Sequence, residues 1–127
     1  MKINFINVGN TDSEHLKCLI ADYEIRIKRF VNFQIDYVST PRNLGKLKPV
    51  DIKKSEGELI LKKIEPAGIV ILLDERGIQF TSQEFAHYLQ RLMMNKTVYF
   101  VTGGAYGFSD DLYNRANEKL SLSKMTT

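Results

Sequence analysis

Cysteine occurs once in this chain, as Cys18, so no internal disulfide can staple the fold and a reducing compartment is the natural setting. Tryptophan is absent, and histidine occurs only as His15 and His87, on what read as two different helices. His15 and Cys18 are spaced to share a helix face, but a pair of ligands does not make a zinc centre, so no metal is expected. Cys18 reads as a small core filler and the two histidines as ordinary helix residues. No apolar run approaches the roughly 18 residues that a membrane span needs. Lys2 to Val8 is too short, and too soon followed by polar residues, to be a signal peptide. The expectation is a cytoplasmic protein with no membrane partner. Ser121 and Ser123 have no neighbouring histidine base and no nucleophile-elbow pattern. A strong excess of one charge is also lacking: the net charge of +3 permits nucleic-acid binding without requiring it.

What is present is an ordinary globular composition, 43% hydrophobic and 26% charged, enough for a real core in one domain spanning residues 1–127. Lys2 to Val8 is an apolar-rich strand. From Glu14 to Phe30, Leu16, Leu19, Ile20, Tyr23, Ile27 and Phe30 recur at helical spacing, with Lys17, Glu24 and Lys28 toward solvent. Asn32 to Val38 alternates over part of its length, which fits a strand near a sheet edge. Thr40 to Val50 holds Pro41, Gly45 and Pro49 and reads as a loop. Its Arg42, Lys46 and Lys48 are candidate phosphate contacts, weighed against a plain solvated surface. Asp51 can cap a helix running to about Ile64, weakened by Gly57. Gly68 to Leu73 is the most hydrophobic strand and is expected at the sheet centre, with Asp74-Glu75-Arg76-Gly77 turning the chain out. Thr81 to Glu84 has the form of a capping box before another helix. Val98 to Val101 suits a strand buried on both faces. A glycine turn follows, then Ser109-Asp110-Asp111 as caps for a helix to about Asn117, and a short strand from Lys119 to Ser123. The alternation predicts an α/β fold: a mostly parallel, Rossmann-like sheet of about five strands with helices on both faces.

In such sheets ligands bind beyond the carboxyl ends of the strands. Thr102-Gly103-Gly104-Ala105-Tyr106-Gly107 is the obvious candidate, but no Gly-Lys-Ser/Thr follows it, which excludes a P-loop. It also lacks the Gly-x-Gly-x-x-Gly spacing and the early position of a dinucleotide site. What remains is a pocket of backbone and apolar side chains where Leu73, Gly103-Gly104 and Leu122 to Thr127 converge. Such a pocket suits an adenosine.

At these residues the sequence resembles the RlmH ribosomal RNA methyltransferases, small members of the SPOUT or α/β-knot class. The resemblance spans the chain, including Tyr23 to Arg29 and Glu56-Gly57-Glu58. It is sharpest at Leu72-Leu73-Asp74-Glu75-Arg76-Gly77, at Thr102 to Ser109, and at Leu120-Ser121-Leu122-Ser123-Lys124-Met125-Thr126. It implies a homodimeric enzyme that methylates N3 of a pseudouridine in large-subunit (23S) ribosomal RNA with S-adenosylmethionine. Residue by residue, it implies cofactor contacts at Leu73, Gly103, Gly104, Leu122, Ser123, Lys124, Met125, Thr126 and Thr127, and it leaves the catalytic base unassigned. Arg42, Lys46 and Lys48 then become candidate RNA contacts. Members of the family continue past the Ser-Leu-Ser segment into a helix that completes a trefoil knot and much of the dimer interface. This sequence stops at Thr127, so the knot is expected to be incomplete here. The alternatives are an inactive α/β fragment and a generic nucleotide-binding domain.

Overall fold

The computed structural model describes residues 2–8, 21, 24–25, 28–29, 31–38, 48–92, 97–103 and 107–121. Five strands among them form one sheet: β1 (Lys2–Val8), β2 (Asn32–Val38), β3 (Ile69–Gln79), β4 (Thr97–Thr102) and β5 (Glu118–Ser121). Their order is β2-β1-β4-β3-β5, and every neighbouring pair is parallel. Parallel strands need crossovers, and these are supplied by α1 (Pro49–Leu61), α2 (Ser82–Leu92) and α3 (Asp110–Arg115). Ala21, Glu24, Ile25 and Lys28 are helical, and Lys28 pairs with Glu24 one turn away at 3.0 Å. This agrees with the helix expected there; the rest of that segment lies outside the described residues.

The two sheet faces hold separate cores, as alternation along each strand requires. One comprises Ile6, Val38, Val70, Leu72, Tyr99 and Val101, packed against Ile60 of α1 and Leu112 of α3. The other comprises Ile71, Val98, Phe100 and Leu120, packed against Phe85, Tyr88, Leu89 and Leu92 of α2. Residues 97–101 are all buried, so the expected doubly covered strand is the sheet's middle strand, β4. β2 is the edge strand its alternation indicated.

Local chemistry explains the helix ends. Thr81 and Glu84 form the expected capping box: Thr81 N–H donates to Glu84 Oε1 (2.9 Å) and Glu84 N–H donates to Thr81 Oγ1 (3.2 Å). Ser109 caps α3, its Oγ accepting from Leu112 N–H. Asp51, in contrast, is not a cap. Helix α1 begins inside the expected loop, at Pro49, whose fixed φ and missing N–H suit a first helical position, and Asp51 falls in the first turn, where the helix dipole favours its charge. Gly57 has a packing reason: a Cβ there would meet the Ser109 side chain, so glycine lets α1 lie against the start of α3.

Two further expectations are corrected. β3 is interior but not central, because the fully buried β4 separates it from β1. Nor does it end at Leu73. Leu73 and Ile78 both face Leu120 of β5, so Asp74 to Gly77 are pushed out of register and the strand resumes to Gln79. Gly77 permits the return, since a Cβ there would lie 2.5 Å from the backbone of Lys119 and Leu120.

Candidate functional site

Strand order determines where a ligand can sit. From β3 the chain moves to β4, toward β1; from β4 it moves back across β3 to β5. Because parallel crossovers are right-handed, this reversal sends α2 to one face and α3 to the other, leaving a crevice at the carboxyl ends of β4 and β3. In register, Leu73 stands between Thr102 of β4 and Leu120 of β5. Gly103 follows Thr102 and Ser121 follows Leu120, so Leu73 and Gly103 meet at this edge and β5 ends beside them, while the predicted segment Leu122 to Thr127 lies outside the described residues.

On the α2 face an apolar cavity of about 390 Å³ lies over the sheet, lined by Ile3, Phe5, Phe33 and Phe100 and reaching the edge at Leu73 and Leu120. Phe85 and Leu89 of α2 also line it, and Phe85 meets Phe100 edge-on at 6.1 Å. At the carboxyl ends of β4 and β1, Thr102 Oγ1 donates to Asn7 Oδ1 at 2.5 Å. The role of Gly103 is sharper than sequence indicated. A Cβ on it would stand 3.3 Å from the backbone of Gly107, and Gly107 has φ +85°, a conformation that favours glycine. The two glycines therefore let the turn close on itself.

The opposite face of the same edge carries charge. Asp74 accepts from Arg76 N–H (2.9 Å), from the Arg76 guanidinium (3.3 and 3.4 Å) and from Tyr113 O–H (2.7 Å). The Arg76 backbone N–H and the Tyr113 hydroxyl, followed by the Arg76 guanidinium, hold its carboxyl down at about 2. The Tyr113 hydroxyl is pushed up by burial and by its bond to Asp74, so it stays protonated and donating. This network was missed in the sequence, where Asp74 to Gly77 read as a plain turn; the Asp-x-Arg spacing was the available signal.

Of the residues expected to contact a cofactor, Leu73 and Gly103 are brought together, while Gly104 and Leu122 to Thr127 lie outside the described residues. Lys48 is exposed at the start of α1; Arg42 and Lys46 lie outside the described residues. His87 is exposed on α2, and no group of three or more metal-ligating side chains occurs among the described residues. No helix among them is long and apolar enough to cross a membrane.

A family model described as "predicted SPOUT methyltransferase" matches residues 1–127. The chain belongs to the SPOUT methyltransferase family. It is 44% identical over 128 residues to the ribosomal RNA large subunit methyltransferase H of Bacteroides thetaiotaomicron, an alignment covering 99% of this chain and 82% of that protein. Proteins of the same name from Flavobacterium psychrophilum (44%) and Parabacteroides distasonis (41%) match over the same shares. For a SPOUT methyltransferase, the crevice at the strand ends offers what methyl transfer needs first: a partly apolar recess bounded by backbone.

Proposed function

We propose that this chain transfers the methyl group of S-adenosylmethionine to N3 of a pseudouridine in large-subunit ribosomal RNA. It does so as one domain over residues 1–127, working as a cytoplasmic homodimer. The observation that carries the reading is the register that sets Leu73 between Thr102 and Leu120, with Gly103 and Ser121 next at the same edge. The relatives' name, ribosomal RNA large subunit methyltransferase H, supports the substrate class.

The residues present fit the cofactor. Leu73, Phe100 and Leu120 provide apolar surface for an adenine, and main-chain groups past the ends of β4 and β5 can pair its edge. Contacts are assigned to Leu73, Gly103, Gly104 and Leu122 to Thr127. When bound, the cofactor supplies a sulfonium-activated methyl group. The chain's own task is positional: it holds the target nitrogen in line with that carbon at about 3 Å and keeps water away. The nitrogen must also lose a proton. Asp74, beside the site, is held at about 2 and is too weak a base for an imide nitrogen, so it acts structurally.

Titration calorimetry with S-adenosylhomocysteine, paired with transfer of labelled methyl to unmodified large-subunit RNA, tests the reading. Binding and transfer are expected; no heat and no transfer would overturn it. Removing the charges of Arg42, Lys46 and Lys48 is expected to lower the salt slope of RNA binding by about one per lost phosphate contact. An unchanged slope returns these residues to solvated surface.

A further inference from the structure

The face of the sheet opposite the apolar cavity holds an arrangement that the proposed reaction does not use. A cavity of about 440 Å³ opens beside edge strand β5, lined by Arg76, Tyr113, Ala116, Asn117, Glu118 and Lys119. Two cations stand over one ring there: Arg76 Cζ lies 5.9 Å and Lys119 Nζ 5.6 Å from the centre of Tyr113. The ring's electron-rich face tolerates them but does not neutralise them.

Arg76 is fixed even though its side chain is 74% exposed. Asp74 holds its backbone and guanidinium, and Arg76 Nη2 also donates to the Tyr113 hydroxyl at 2.7 Å, which in turn donates to Asp74. The extruded turn that carries Arg76 is pinned against Lys119 by Gly77. An exposed arginine immobilised this way presents part of its donor fork to solvent already oriented, which lowers the ordering cost of binding an oxyanion.

Among the acids whose side chains are described, Asp74 and Glu118 stand nearest to this pair of cations. Asp74 balances Arg76. Glu118 lines the cavity too, but it lies on the strand face of Leu120, toward α2, and its carboxylate accepts the Lys119 backbone N–H at 3.3 Å, whereas the Lys119 side chain points to the Tyr113 side. Among the described residues no carboxylate lies within ion-pairing distance of Lys119. A third cation, Arg115, is committed to the carbonyls of Glu65, Pro66 and Gly68 and to Asn117 Oδ1, again without a carboxylate.

We propose that Arg76 and Lys119, gathered on Tyr113, form a docking point for a backbone phosphate of the RNA strand. The proposal rests on the RNA methyltransferase reading and extends it to a face away from the cofactor cavity. Asp74 and Tyr113 are positioning residues: they hold Arg76 and do not touch the phosphate.

The test measures binding of purified large-subunit ribosomal RNA against salt concentration, for wild type, Arg76→Gln, Lys119→Gln, Lys119→Arg and Tyr113→Phe, with S-adenosylhomocysteine affinity measured on each. Arg76→Gln and Lys119→Gln are each expected to weaken binding about five- to tenfold near physiological salt and to lower the salt slope by about one. Lys119→Arg should keep the wild-type slope, Tyr113→Phe should weaken binding with the slope nearly kept, and cofactor affinity should not move. Unchanged RNA affinity and slope in both Gln variants, with wild type binding and methylating, would overturn this proposal alone. Wild type that neither binds nor methylates the RNA would overturn the underlying reading and this proposal with it.

Discussion

Strands β3 and β4 are neighbours, run in parallel and each carry an apolar run that meets a glycine within a few residues, yet they end differently. After Thr102 the chain leaves the sheet at Gly103, where a Cβ would stand 3.3 Å from the backbone of Gly107. After Leu73 it steps out for four residues and returns to the same partner, Leu120. The difference teaches what each glycine is for. At Gly103 a Cβ would meet the Gly107 backbone at 3.3 to 3.4 Å, a mild crowding, whereas Gly77 is wedged at 2.5 Å against a strand. The consequence is functional as well: the exit from β4 leaves an open edge on the apolar side, and the extrusion from β3 projects Arg76 on the charged side.

Alanine at the two glycines should separate these roles, and the first substitution carries the largest expected effect. At Gly77 the added methyl would lie 2.5 Å from main-chain atoms of Lys119 and Leu120, which cannot rotate away, so β5 must shift. A loss of about 3 kcal/mol is expected from such overpacking. At Gly103 the nearest atoms stand at 3.3 and 3.4 Å, and a shift of a few tenths of an ångström relieves them, so a loss of about 1 kcal/mol or less is expected. Urea midpoints of both variants provide the check; equal losses would mean that β3 does not depend on the tight return.

The same contrast can be sharpened at Leu73, the last β3 residue before the extrusion. Its side chain lines the apolar cavity, and truncation to alanine removes roughly 1.5 kcal/mol of apolar contact. S-adenosylhomocysteine affinity should fall about tenfold while the salt slope of RNA binding stays fixed. A change in slope without a change in cofactor affinity would place Leu73 on the wrong side of the comparison.

Much of this was legible in the letters, for reasons that differ by residue. Val98 to Val101 announced a doubly buried strand because four β-branched or aromatic residues in succession leave no polar face. Thr81 and Glu84 announced a cap because reciprocal hydrogen bonds need that spacing. The meeting of Leu73 with Gly103 followed from a general property of parallel sheets. The extrusion was not legible, because a polar tetrapeptide ending in glycine serves equally as an exit or as a bulge, and only the backbone of Lys119 and Leu120 decides between them. Tyr113 was hidden for a similar reason: its partners Asp74 and Arg76 are 39 and 37 residues away, beyond any local pattern.

An effect as small as that at Gly103 is expected from the charge that anchors the extrusion. Asp74 has its carboxyl lowered from 3.8 to about 2 in the folded chain, chiefly by the Arg76 backbone N–H and the Tyr113 hydroxyl. A depressed carboxyl contributes stability that is complete above its unfolded value and is lost as pH falls toward the folded one. Its partner guanidinium is largely in solvent, so the contribution is screened to about 1 kcal/mol. Asp74→Asn should therefore be less stable than wild type by about that amount at pH 7, and the gap should narrow as pH falls from about 4 to about 2. Urea midpoints of both proteins across that range measure it. A gap that persists unchanged at the acid end would assign the effect to side-chain shape instead of charge, and the extrusion would then be held by Gly77 and the β5 backbone alone.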